Sequence, residues 1–193
     1  MNSRRKLLVA ASVVALVQIG FLASAIYSRA ALLRHGEEIT LRTAPVDPRD
    51  LLRGDYVALS YDVSLVPVDL LRTARPRDDE AVGTVYVRLR RGENHAPASI
   101  VAAALGAPLE TPPAANELDL KGTSRDRWHD GLDAINVQYG LERFYVPEGE
   151  GRAIEQGLGE RQFTMRVAVN KAGDAQIKAL YDGNTALYSE PLY

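Results

Sequence analysis

The chain has 193 residues, with 23 Lys plus Arg against 25 Asp plus Glu and a formal net charge of −2. It is 46% hydrophobic and 25% charged, a composition that excludes disordered and fibrous classes. It contains no cysteine, which excludes zinc-finger, iron–sulfur, disulfide-framework and thiol-nucleophile readings. The near-balance of charge conceals an uneven layout. The first acidic residue is Glu37, and Arg4, Arg5, Lys6, Arg29 and Arg34 all precede it. Without those five, the rest of the chain holds 18 basic against 25 acidic side chains, a net of −7. An acidic body with no basic stripe argues against nucleic acid as a partner.

From Leu7 to Tyr27 there are 21 residues without a charge. As a helix this stretch is roughly 30 Å long, the thickness of a bilayer's hydrocarbon core. Signal-peptide apolar regions are shorter, about 7–15 residues. The length therefore favours an uncleaved signal anchor, with cleavage after Ala25 in the Ala23-Ser24-Ala25 triplet as the competing reading. Arg4, Arg5 and Lys6 place the amino end in the cytoplasm by the positive-inside rule, and the body outside it. Gly20 and Ser24 form a small-xxx-small pair beside Gln18, a pattern found both at helix–helix contacts and by chance. The expected organisation is a stub over residues 1–6, a membrane helix over 7–27, a juxtamembrane linker over 28–36 and an exported domain over 37–193.

In the body the pattern becomes period two. Glu38 to Arg42 alternates as a half-buried strand does. Pro45 and Pro48 break it, and a turn-rich connection leads to a strand from Tyr56 to Tyr61. Arg72 to Glu80 is a charged loop. Thr84 to Arg90 alternates cleanly, with Val85, Val87 and Leu89 facing inward. Ser99 to Leu105 reads as either a buried strand or a short helix, and Pro108, Pro112 and Pro113 demand a loop after it. Further strands are expected at Leu118–Lys121 and Asp133–Tyr139, and a short helix at Glu148–Gly157. Phe163–Val169, Ala175–Tyr181 and Ala186–Ser189 complete the pattern, joined by the turns at Lys171–Asp174 and Asp182–Asn184. The expected fold is mainly β: one transmembrane helix, then an antiparallel barrel- or sandwich-like domain with one short helix.

The sharpest local feature runs Gly54-Asp55-Tyr56-Val57-Ala58-Leu59-Ser60-Tyr61. Gly54 supplies the positive φ of a tight turn and Asp55 can cap it. On a regular strand Leu59 and Tyr61 share a face, and Tyr56 lies on the other. Gly54, Asp55, Tyr56, Leu59 and Tyr61 match the G-D-Y-x-x-L-x-Y signature, and the chain resembles the GDYXXLXY family of bacterial proteins. Tyr139 to Gly149 resembles that family's second block, and the likeness covers roughly Ile39 to Tyr181. The resemblance implies a membrane-anchored protein associated with an integral membrane partner, and it implies no known activity, cofactor or ligand.

Glu142, Arg143, Tyr145, Glu148 and Glu150 of the second block are the remaining candidate binding residues. The three glutamates around Arg143 could do acid–base work or hold a cation, or Arg143 could pair with one while the others are solvated. No catalytic residue or metal ligand is assigned. His35, His95 and His129 have no metal-ligand spacing, and Trp128-His129-Asp130 reads as a surface loop step. Pro48 to Val57 resembles a turn of signal-peptidase-like barrels, but no lysine of the body, Lys121, Lys171 or Lys178, follows that chemistry's serine–lysine arrangement. The favoured function is a membrane-anchored extracytoplasmic interaction or assembly module. The alternatives are an envelope hydrolase using the acidic cluster, or a small-molecule or cation binder.

Overall fold

A run of apolar side chains satisfies its backbone most simply as a helix. In the computed structural model, which describes residues 3–44, 56–145 and 163–190, helix α1 spans Ser3–His35. Over Val9–His35 it is long and apolar enough to cross a membrane, and its most apolar window is buried nowhere in the protein. The expected linker over 28–36 is instead a continuation of the same helix to His35. Ala30, Ala31, Leu32 and Leu33 are strong helix formers, and Leu33 is buried. Arg34 and His35 stand in the last turn, where the helix dipole favours positive charge.

Gly36 makes the joint from helix to sheet. Its N–H donates to the Leu32 carbonyl at 2.8 Å. A Cβ at this position would lie 2.5 Å from the Leu32 carbonyl oxygen and 3.0 Å from the Ala168 Cβ. No side chain fits between the end of the helix and the sheet beneath it.

Twelve strands follow among the described residues: β1 (Glu37–Ala44), β2 (Tyr56–Ala58), β3 (Ser60–Tyr61), β4 (Leu65–Pro67), β5 (Ala81–Arg90), β6 (Ser99–Leu105), β7 (Glu117–Arg127), β8 (Ala134–Asn136), β9 (Arg143–Tyr145), β10 (Phe163–Val169), β11 (Ala175–Asp182) and β12 (Thr185–Ser189). One sheet has the order β12-β11-β10-β1-β3 and another β6-β5-β7, with two ribbons, β2-β9 and β4-β8. All these ladders are antiparallel. The core lies between the sheets. Ile39 and Leu41 of β1 and Met165 and Val167 of β10 meet Val85, Val87 and Leu89 of β5 and Leu118 and Leu120 of β7. The arrangement is sandwich-like and does not close into a barrel.

The alternating segments fold as their period dictates. Val85, Val87 and Leu89 are wholly buried. The ambiguous run Ser99–Leu105 is a strand. Its alanines favour a helix, but seven residues are too few for a helix to stand alone, and β5 offers a ladder from Val85↔Leu105 to Arg90↔Ser99, with one register shift between Arg88 and Leu89. The Tyr56–Tyr61 strand, expected as one element, is divided at Leu59, because its halves pair with different partners: β2 with β9, and β3 with β1. Trp128 is buried rather than part of a surface step, with the Arg75 guanidinium 5.9 Å from its ring centroid. The short helix expected at Glu148–Gly157 lies outside the described residues.

Arg88 points away from the Val85–Leu89 face, yet it is only 5% exposed. Its cross-strand neighbour is Asp119. The guanidinium donates to that carboxylate through Nε at 2.7 Å and Nη2 at 2.8 Å, and through Nη2 to the Thr111 carbonyl at 2.7 Å. One planar cation thereby ties β5 to β7 and holds the proline-rich loop over them. Removing the carboxylate strands a buried cation. Asp119→Ala should cost about 3 kcal/mol in denaturant unfolding, whereas Arg127→Ala, at the exposed Arg127–Asp79 pair, should cost less than about 1 kcal/mol.

Candidate functional site

Residues 56–67 face residues 134–145 and pair with them antiparallel at both ends, in one register. At one end β2 pairs with β9, Tyr56 opposite Tyr145 and Ala58 opposite Arg143. At the other, β4 pairs with β8, Leu65 opposite Asn136 and Pro67 opposite Ala134. Between the two ribbons Ser60 and Tyr61 turn aside to pair with β1, and Asp62–Ser64 makes a 3-10 turn. The ladder therefore has a gap, and side chains span it.

The Tyr61 hydroxyl donates to the Leu141 carbonyl at 2.7 Å, and the Tyr139 hydroxyl donates to the Val63 carbonyl at 2.6 Å. Each segment lends a phenol to the other's backbone. The Leu59 N–H donates to the Glu142 carbonyl at 2.8 Å, and the Val137 N–H to the Ser64 carbonyl at 2.8 Å, carrying the connection to both ribbons. Tyr61 is 1% exposed and Tyr139 7%. Burial drives both phenol pKa values well above the ordinary tyrosine range, and the nearby Glu142 carboxylate adds to the rise. These hydroxyls stay protonated donors and are unsuited to act as bases.

Glu142 also has a structural duty. Its Oε1 accepts the Tyr139 N–H at 2.6 Å, closing the turn 139–142 around Gly140, whose φ is +77°. Glu142 stands in a bend immediately before β9, which begins at Arg143. Leu59 is buried beside Tyr61, as their shared face requires. Gly54, Asp55, Glu148 and Glu150 lie outside the described residues, so the carboxylate cluster is represented here by Glu142 alone. Among the described residues no group of three His, Asp or Glu side chains is placed to hold a metal.

The 139–143 turn also forms a wall of a cavity of about 510 Å³. The opposite walls come from α1 through Arg29, from β11 through Gln176, and from Tyr188 and Glu190. A second depression of about 410 Å³ lies between β1 and the turn over residues 91–96. Asn94 and His95 in that turn both adopt positive φ, 52° and 62°. Of the residues lining these cavities only Arg143 was anticipated from sequence; Arg29, Gln176 and Glu190 come from three distant segments and carry no local motif.

A family model for GDYXXLXY protein matches residues 18–180. The chain belongs to the GDYXXLXY family. The match begins inside α1, ahead of the likeness read from the body. No curated protein and no solved structure matches the chain.

The geometry explains the spacing of Tyr56, Leu59 and Tyr61 within the signature. Tyr56 enters the β2–β9 ladder, Leu59 opens the gap and fills the core, and Tyr61 reaches the Leu141 carbonyl across it. Replacing either donor strands a buried carbonyl, so Tyr61→Phe and Tyr139→Phe should each lower stability by about 1–2 kcal/mol in urea titrations.

The same phenols set an alkaline limit. A pKa raised in the folded state means that the unfolded chain releases its protons first, so the contribution is intact below the unfolded value near pH 10 and falls away above it. Unfolding free energy should decline above about pH 10, each tyrosine adding up to roughly 1.4 kcal/mol per pH unit. Either phenylalanine variant should show a shallower decline in the same titration.

Proposed function

We propose that this protein is a single-pass, membrane-anchored interaction module whose β domain lies outside the cytoplasmic membrane of a bacterium and assembles with an integral membrane partner. The observation that carries the reading is α1. Its apolar surface is exposed from Val9 through Tyr27, while the same helix packs onto β10 and β11 at its far end, where Leu33 is buried. A soluble protein would pay heavily to leave such a surface in water. Arg4, Arg5 and Lys6 support an inward amino end. Nothing lies within 4 Å of where a Cβ on Gly20 would stand, so that face of the helix is open to close approach by a second helix.

The hydrolase alternative draws less support from the site. The Glu142 carboxylate is engaged with the Tyr139 N–H, and the two buried phenols are fixed as donors to backbone carbonyls. That pattern serves packing and orientation better than proton transfer.

The test is recovery of tagged full-length protein in a mild detergent. A multi-pass membrane protein should co-purify with it in a fixed ratio, and Gly20→Ile should reduce that recovery while the protein still fractionates with membranes. Recovery of the wild-type chain as a free monomer would count against an assembly role.

A further inference from the structure

Three neighbouring strands mark where α1 leaves the domain. At Gly36, where the helix joins the sheet, an added Cβ would lie 3.0 Å from the Ala168 Cβ of β10. Arg29, seven residues earlier, lines one cavity with Gln176 and Ile177 of β11 and with Tyr188 and Glu190 at the end of β12. Those seven residues advance a helix roughly 10 Å, and the two strand spacings from β10 to β12 cover about the same distance. The helix therefore crosses the strands, and toward its amino end it leaves the sheet at the β12 edge.

That edge differs from the rest of the sheet. β12 is an end strand, and none of its side chains is charged. Thr185, Ala186, Leu187 and Ser189 are exposed. Leu187, at 40%, is one of two large apolar side chains exposed outside α1 among the described residues. In water an uncharged, exposed edge invites pairing with another strand. Here the ladder deters it: Leu180 pairs with Tyr188 and Tyr181 with Ala186, which leaves Leu187 as the unmatched residue of a bulge. The edge calls for a cover that does not depend on backbone register.

Depth supplies that cover. Tyr27, the last residue of the uncharged run, stands two residues before Arg29, about 3 Å along the helix. With α1 spanning a bilayer, the headgroup layer extends about 5–8 Å beyond the hydrocarbon core on each side. The end of β12 shares the level of Arg29 and so falls inside that layer. An uncharged strand with hydroxyls at Thr185 and Ser189 and an apolar side chain between them suits such a boundary.

We propose that β12 is a lipid-contact edge: Thr185–Ser189 rests in the headgroup layer of the membrane that α1 spans, with Leu187 against the glycerol and upper acyl chains. The contact rests on the membrane-spanning reading of α1 and names the side of the domain that faces the bilayer. The opposite end of the sheet, β3, lies four strand spacings farther out, roughly 19 Å. Because β12 is uncharged, neutral phospholipid is sufficient.

The chain has no cysteine, so a single introduced thiol marks one position. Leu187→Cys on β12 and Asp62→Cys beside β3 both replace exposed side chains. Each is labelled with nitrobenzoxadiazole, and the full-length protein is reconstituted in phosphatidylcholine vesicles. Half of the vesicles carry a lipid with a nitroxide at the top of its acyl chain. The label at position 187 should emit to the blue of the label at position 62, and the nitroxide lipid should quench it several-fold more strongly. Ser189→Cys, which keeps Leu187 in place, should behave as Leu187→Cys does.

Equal quenching at positions 187 and 62, or stronger quenching at 62, overturns the proposal. Extraction with alkaline carbonate separates that result from failure of the anchor. Protein that stays with the vesicles while the label at 187 is unquenched keeps its span and loses the lipid edge. Protein that is released loses both.

Discussion

Two phenols buried against each other's backbone are the constraint on which this fold turns. A tyrosine hydroxyl removed from water must find an acceptor, and a buried carbonyl must find a donor. Here the needs are met reciprocally, Tyr61 on Leu141 and Tyr139 on Val63. The two segments lie about eighty residues apart in sequence, so the pairing closes a long loop. Once closed, it aligns residues 56–67 with residues 134–145 and places the ribbons at both ends in one register. It also frees Ser60 and Tyr61 to add an edge to the sheet of β1. A continuous ladder could not do both, because a short edge strand cannot give its backbone groups to β1 and β9 together.

From that edge the constraint runs to α1. β3 pairs with β1, β1 pairs with β10, and Gly36 joins β1 to α1 with no room for a side chain. Leu33 packs into the domain from the helix side. The helix and sheet meet without a flexible tether, so the domain is held at a fixed height and angle to whatever surrounds the helix. A hinged anchor would let the domain sample many orientations and dilute any contact that depends on depth. The joint also shapes the cavity beside α1, because its walls come from both the helix and the domain.

How much of this was visible in the sequence depended on the range of the interaction. Val85, Val87 and Leu89, or Phe163 to Val169, announce themselves because a half-buried strand repeats every two residues. The apolar helix is equally plain, but its continuation past Tyr27 is not, since only the packing of Leu33 distinguishes a helical end from a linker. Arg88 reads as a solvated residue on an alternating strand, and its burial depends on Asp119, 31 positions away. Leu59 and Tyr61 were correctly placed on one buried face. The break between them follows from strand partners distant in sequence, which no local periodicity encodes. The cavity was the least legible feature, as its lining converges from α1, the second family block and the last two strands.

The signature residues illustrate a wider point about reading acids and phenols near each other. Glu142 beside two tyrosines resembles a proton-transfer site when seen as a list of residues. In three dimensions its carboxylate closes a turn, its charge raises the phenol pKa values further, and the phenols become more secure donors for it. A catalytic acid or base must change protonation near neutral pH. Burial moves the two phenols further from that range, which favours a fixed scaffold. The scaffold's product is position: it brings the 139–143 turn, with Arg143, to one cavity with Arg29 and Gln176.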